Sequence, residues 1–404
     1  MSIVSFSPKP DHLLLPNKPR KSKPNRCHVS PRMSSQPPPT PDLLSTVTNL
    51  LWGKSLPPQL LISTVRSTWN GTWHLMMSQL APSDPSGSYS RPISSFRANS
   101  PSRQNPKNLH LYVALACPWA HRTLIVRSLK GLDEAVPVSI AAPGVDGSWE
   151  FRESGAGAGG SGLAPSADRA NGRRTLKEVY RLRRGGYDGR STVPMLWDVD
   201  KKDVFCNESY DIIEFFNSGL NGEMAGDSSM DLSPPELKGE IEYWNGIIYP
   251  NVNNGVYRCG FAQSQQAYDK AVNDLFITLD MLDAHLSSSR YLCGDVLTLA
   301  DVCLFTTLIR FDLSYNVLFK CTKKKLQEYP HLHAYTREIY QIPKVAATCN
   351  FEAIMDGYYR VLFPLNPGSI RPAMPCGCEH EFLCKPHNRE SVSLLNKHAK
   401  VLQS

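Results

Sequence analysis

The sequence predicts an α/β domain followed by an all-helical one. Three observations carry this expectation. A β-rich run, Leu109–Leu115, breaks at Cys117-Pro118 and passes at once into helical spacing. Two further strand-like runs, Val193–Asp198 and Val204–Cys206, flank a turn. Beyond Gly219-Leu-Asn-Gly222 only long segments of helical period follow. The 404 residues, 41% of them hydrophobic, suffice for two domains with cores of their own.

In chain order, residues 1–41 carry no packed pattern. They hold Lys9, Lys18, Arg20, Lys21, Lys23, Arg26 and Arg32 against Asp11 alone, which is +6 of the chain's +7. A basic, acid-poor, Ser-bearing N-terminus of this kind resembles an organelle transit peptide, and Leu13-Leu14-Leu15 is too short for the apolar centre of a secretory signal. The segment is read as a disordered transit peptide. Pro and Lys interrupt any amphipathic Arg-rich helix, which favours the chloroplast, with the mitochondrion or cytosol as alternatives. Residues 42–104 set Trp52, Trp69 and Trp73 among Leu and Ile, with turn chemistry at Pro82-Ser-Asp-Pro-Ser-Gly87. They are expected to form an ordered extension packed on the main body.

Residues 105–225 contain the α/β pattern. After the first strand, Pro118 suits the first position of a helix because it lacks only a donor that would be orphaned there. Ala120, Leu124, Ile125 and Leu129 follow helical spacing until Gly131. A second strand is expected at Val136–Ala141, and the Gly-rich run 154–162 is a flexible loop. The later strands turn through Asp200-Lys-Lys-Asp203, and a helix follows with Ile212, Ile213 and Phe216 inward. Strand–helix–strand, then hairpin and helix, is the thioredoxin pattern.

Residues 232–370 read as helical through 235–249, 266–287, 298–312 and 330–340, with Thr298-Leu-Ala-Asp301 as a capping box. The tail, 371–404, contains Cys376, Cys378, His380, Cys384 and His387. That spacing matches no standard zinc site, so an exposed polar tail is expected and no metal site is assigned.

Outside the basic N-terminus the chain is close to neutral, which gives no electrostatic ground for nucleic-acid binding. No run approaches the roughly 18 apolar residues of a membrane span. Eleven cysteines without a regular framework suit a reducing compartment, in which single thiols do chemistry.

Cys117 is the main chemical candidate. A cysteine at a strand end and helix start meets unpaired N–H groups and the helix dipole, so its pKa is expected to fall and its thiolate to be available. Ala120 occupies the place where a Cys-x-x-Cys motif has its second cysteine. A mixed disulfide at Cys117 therefore needs an external thiol to resolve it, and glutathione is the obvious one. Val193-Pro194 lies where thioredoxin folds place a cis-proline, which would expose the Val193 backbone to pair with a peptide like an added strand. Glu208-Ser209 opens the next helix, where Ser209 is placed to hold the γ-glutamyl carboxylate of glutathione and Glu208 to accept from its ammonium group.

With those residues in place, the chain resembles the glutathionyl-hydroquinone reductases, the Xi class of glutathione transferases, in a plant-type form. The matching pieces are Cys117-Pro-Trp-Ala-His-Arg-Thr-Leu-Ile-Val-Arg127, Gly189-Arg-Ser-Thr-Val-Pro194, Asn207-Glu-Ser209, Tyr249-Pro-Asn-Val-Asn-Asn-Gly-Val-Tyr-Arg258 and Ile309-Arg-Phe-Asp312. The resemblance implies a thioredoxin-like domain, an all-helical glutathione transferase C-terminal domain and a homodimer. It implies glutathione as co-substrate, with no bound cofactor. It implies Cys117 as the catalytic thiol and Trp149, Val193, Pro194, Glu208 and Ser209 around glutathione. It places Tyr257 and Tyr358 at the hydroquinone pocket, with Tyr359 as the competitor to Tyr358, because Ile354-Met-Asp-Gly357 departs from the family's basic, His-containing run. The implied reaction removes glutathione from a glutathionyl-hydroquinone; the alternatives are an omega-type thioltransferase or dehydroascorbate reductase, and a non-catalytic binding module on the transferase fold.

Overall fold

A computed structural model describes residues 59–98, 107–144, 147–152, 163–220 and 229–393. The transit-peptide expectation, Trp52 and the Gly-rich loop lie outside the described residues.

Helix α1 spans Gln59–Leu80. Its C-terminal part meets the expectation of an ordered extension: Met77 is buried, and Trp73 donates its indole N–H to the Pro364 carbonyl at 3.1 Å. Trp69, in contrast, faces solvent with 52% exposure. The predicted turn forms at Asp84, whose carboxylate accepts from the backbone N–H groups of Ser86 and Ser88.

The α/β part begins with β1, Leu109–Val113, which stops two residues before the predicted end, and α2, Pro118–Leu129. Strand β2 is Val138–Ile140, and a short ribbon pairs β3, Ala142–Pro143, with β4, Trp149–Glu150. A helix that the sequence reading missed, α3 at Leu176–Arg181, is started by a capping box between Thr175 and Glu178. The hairpin is β5, Met195–Asp198, with β6, Asp203–Cys206. Helix α4, Ser209–Glu214, continues as a π-helical turn to Gly219.

The sheet order is β2-β1-β5-β6. Strand β1 runs parallel to β2, with Leu111 opposite Val138, and antiparallel to β5, with Tyr112 opposite Met195. All five residues of β1 are buried, as expected of a near-continuous apolar strand at the centre of a covered sheet. Its two polar members are satisfied: the His110 ring bonds the Ser139 hydroxyl at 2.8 Å, and the Tyr112 hydroxyl donates to Asp168 at 2.7 Å.

The second part is helical: α5 Lys238–Ile248, α6 Gly255–Gly260, α7 Gln265–Leu286, α8 Leu299–Arg310, α9 Asn316–Leu318, α10 Pro330–Gln341 and α11 Phe351–Tyr359. Helix α11 was not anticipated from sequence; Asn350 caps it by accepting from the Ala353 N–H at 2.8 Å. All twelve residues of α8 are buried. Asp301 at its start accepts from the Thr298 N–H and hydroxyl, the Leu292 N–H and the Tyr335 hydroxyl, so the predicted box became a four-bond hub.

The C-terminal segment departs from the exposed tail expected. A short helix α12, His380–Leu383, buries Leu383, and Arg389 is only 2% exposed. The Arg389 guanidinium bonds Glu338 at 3.1 Å and the carbonyls of Leu286, Ser289 and Arg290. One arginine with four acceptors thus anchors the segment, a constraint that spacing alone did not reveal.

Candidate active site around Cys117

Cys117 sits at the N-cap of α2 with extended backbone, and Pro118 takes the first helical position. Behind it lies Arg310, the last residue of α8, fully buried. Its guanidinium donates to the carbonyls of Leu115 at 3.0 Å, Ala116 at 3.1 Å and Thr306 at 2.9 Å, and to His121 Nδ1 at 2.9 Å. Arg310 therefore ties the turn before the thiol to the helical domain. Because Nδ1 accepts from a guanidinium, the proton of His121 resides on Nε2, which donates to Thr348 Oγ1 at 2.8 Å. Burial, then Arg310, holds the His121 pKa well below the ordinary histidine range. His121 is thus a neutral structural group and does not serve as a base for the thiol.

On the other side the Val193–Pro194 peptide is cis, as the sequence placed it, and the Val193 carbonyl lies 3.6 Å from Cys117 Sγ. Val193, Pro194, Glu208 and Ser209 line one cavity of about 260 Å³, together with Trp119, Arg91 and Arg190. The structure brings these four predicted glutathione contacts together. Glu208 caps α4, and Ser209, nearly buried, receives Arg122 at 3.4 Å.

Trp149 lies elsewhere. It lines a second cavity of about 570 Å³ with Ala114, Leu115, Ala116, Ala353 and Gly357. The residues just before Cys117 thus form a wall of this second cavity. Gly357 permits that geometry: a Cβ there would come 2.2 Å from the Ala116 Cβ.

The aromatic side of the site is a hydroxyl cluster. Tyr358 bonds Tyr257 at 2.7 Å and Tyr315 at 2.8 Å. Tyr359 points away and donates to the Leu313 carbonyl at 3.2 Å. Of the two, Tyr358 is the one that joins Tyr257. Burial is the main reason that all three phenols of the cluster titrate above the ordinary tyrosine range. Tyr315 was missed from sequence; it lies in the π-helical turn Phe311–Tyr315 that continues α8, and no motif singled it out.

The expectation for the thiol itself needs correction. Burial pushes the Cys117 thiol above its ordinary value, and this outweighs the Ala120 N–H, Arg91, Arg310 and the Trp119 N–H, which all pull downward. The helix start does supply stabilising groups, but enclosing the sulfur between two domains costs more than they return.

Comparisons with known proteins fit this geometry. Residues 116–218 match the glutathione S-transferase N-terminal domain model, and residues 265–338 match the C-terminal domain model. YqjG of Escherichia coli, a glutathionyl-hydroquinone reductase, is 43% identical over 282 residues, 70% of this chain and 82% of its own length. PcpF of Sphingobium chlorophenolicum, also a glutathionyl-hydroquinone reductase, is 41% identical over 68% of this chain and 84% of its own. The chain belongs to the glutathionyl-hydroquinone reductase family.

Solved structures agree. The glutathione-bound YqjG structure superposes with a TM-score of 0.66 at 38% identity, covering 76% of this chain and 98% of that one. The Xi-class transferase of Phanerochaete chrysosporium gives 0.66 at 38% identity, over 73% and 95%. As a glutathione transferase of this family, the chain has the thioredoxin-like and helical domains expected of it.

Proposed function

We propose that this protein reduces glutathionyl-hydroquinones to hydroquinones with glutathione as co-substrate. The observation that carries this reading is a single thiol at a strand–helix junction beside three clustered tyrosine hydroxyls, two of which, Tyr257 and Tyr315, lie close enough to sense its charge. The sequence likeness to two glutathionyl-hydroquinone reductases and the glutathione-bound relative support it.

In this reading Glu208 and Ser209 receive the γ-glutamyl end of glutathione, and the Val193 backbone pairs with its cysteinyl part. The tripeptide then runs past Cys117 toward Trp149, so that it spans both cavities. The Cys117 thiolate attacks the glutathionyl sulfur. An S–S bond forms, the sulfur–ring bond breaks, and its electron pair goes to the ring carbon. A proton from the Tyr257–Tyr358–Tyr315 cluster completes the hydroquinone. A second glutathione thiolate attacks the Cys117 mixed disulfide, releasing glutathione disulfide and regenerating the thiolate. Overall, one glutathionyl-hydroquinone and one glutathione yield one hydroquinone and one glutathione disulfide.

The decisive assay compares wild type and Cys117→Ser with glutathionyl-menadiol and glutathione. Wild type should release menadiol, and the variant should not. Without free glutathione, wild-type protein should acquire one glutathione adduct, located at Cys117 by mass spectrometry. Failure to release menadiol, with turnover of dehydroascorbate instead, would replace this reading by an omega-type thiol reductase.

Chloroplast targeting rests on the composition of residues 1–41. Fusing that segment to a fluorescent reporter tests it; a reporter left in the cytosol refutes it. A homodimer is the family's expectation, and sedimentation of the purified protein tests it.

A further inference from the structure

Residues 89–98 form a strap that crosses the proposed glutathione cavity. Successive latches hold it to the start of α4. The Ser94 hydroxyl donates to Glu208 at 2.8 Å. Phe96 and Asn207 exchange two bonds of 3.0 Å, one from the Phe96 N–H and one to its carbonyl. Arg97 grips Asp211 through bonds of 2.6 and 2.7 Å. A bidentate pair, and the Asn207 side chain and backbone both bonded to Phe96, leave the strap little freedom to slide.

This anchoring holds Arg91 beside Trp119 in the cavity. The Arg91 guanidinium lies 3.9 Å from the centroid of the Trp119 ring, and Trp119 is two residues from Cys117. Cation–π contact with a buried indole fixes the charge in place better than a flexible surface arginine would. Arg122 packs on the same ring at 4.5 Å, but its guanidinium is already committed to Asn253 at 2.8 Å. Among the described ion pairs none includes Arg91, so its charge meets no carboxylate there.

We propose that Arg91 is a positioning residue for the Cys117 reaction, a cation that the strap lays on Trp119 so that the sulfur can carry negative charge inside an enclosing site. The proposal rests on Cys117 being the nucleophile. Several groups face that sulfur. Arg310 approaches from α8, Tyr257 from α6, and Tyr315 from the turn after α8. The Val193 carbonyl and the N–H groups of Trp119 and Ala120 complete the surround. Of the two arginines, Arg310 is spent holding the backbone of the turn. Arg91 acts on the sulfur without supporting that backbone, and its pull opposes the upward push of burial.

The test is the pH dependence of Cys117 alkylation by iodoacetamide in the full chain, read by mass spectrometry, with thermal melting run alongside. Arg91→Gln should move the midpoint up by about 0.5–1 unit, leaving roughly three- to tenfold less thiolate at pH 7, while the protein stays folded and melts only a few degrees lower for the lost cation–π contact. Arg91→Lys keeps the charge and should stay near wild type. An Arg91→Gln midpoint equal to wild type, or a lysine variant displaced as far as the glutamine one, overturns the proposal. Resistance of wild-type Cys117 to alkylation at every pH would instead remove the nucleophile assignment, and this inference with it.

Discussion

Replacing Tyr358 by Phe, with Tyr359→Phe as its control, separates chemistry from packing within one helix. Tyr358 bonds both Tyr257 and Tyr315, at 2.7 and 2.8 Å. The Phe variant keeps the ring and loses two buried hydrogen bonds, each worth about 1 kcal/mol net. The stability cost is therefore about 2 kcal/mol, too little to unfold the protein. The catalytic cost is larger, because a positioned proton donor contributes roughly 10²- to 10⁴-fold. Tyr359→Phe loses a single 3.2 Å bond to the Leu313 carbonyl, about 1 kcal/mol, and should leave the rate within about threefold. The assay is single-turnover release of menadiol from glutathionyl-menadiol by rapid quench, with melting curves for both variants. Burial raises all three phenols above the ordinary range, so they remain protonated donors from neutral to mildly alkaline pH. The Tyr358→Phe deficit should accordingly be constant there. A Tyr358→Phe rate within threefold of wild type, or equal deficits in the two variants, would refute the proton-donor role.

Gly357→Ala should slow the same step without altering any reacting group. Its Cβ would meet Ala116 at 2.2 Å, so α11 and the turn before Cys117 must separate, at a cost of about 1–3 kcal/mol; a wild-type rate and melting temperature would contradict this. Arg389→Ala should destabilise by about 3–5 kcal/mol, since it strips one partner from buried Glu338 and leaves three carbonyls short of a donor; urea unfolding checks it. The acid limb of stability should depend on His110. Burial lowers its pKa from 6.5 to about 4, so between those values the unfolded chain takes up a proton that the folded chain refuses. Stability is complete above pH 6.5 and falls by about 3 kcal/mol toward pH 4, and His110→Gln should flatten that slope by about one proton. An unchanged slope would show that His110 titrates freely.

Much of the architecture was legible because its causes are local. Pro118 suits a first helical position, alternating and apolar runs make strands, and the Asp200–Asp203 turn closes a hairpin between neighbours in sequence. The strand–Cys-Pro–helix order, the cis Val193–Pro194 bond and the Glu208-Ser209 helix start were all found where residue chemistry put them. Helices α3, α6 and α11 are among those missed: α3 and α6 are only six residues long, and the Gly357 in α11 reads as a breaker. Gly357 in fact stands there because Ala116 presses against it from the other domain.

By itself, then, the sequence determined a lone thiol at the junction of a strand and a helix, the motifs that line the cavity beside it and the family they belong to. Only the tertiary structure decided which of two adjacent tyrosines joins Tyr257, because neighbours on a helix diverge by about 100° and packing chooses between them. It also recruited Tyr315, Arg310 and Arg91, which lie 198, 193 and 26 residues from Cys117 along the chain. It reversed the expected shift of the thiol as well. Dipole and N–H groups are local and can be read from a helix start, whereas desolvation depends on what the rest of the chain folds over it.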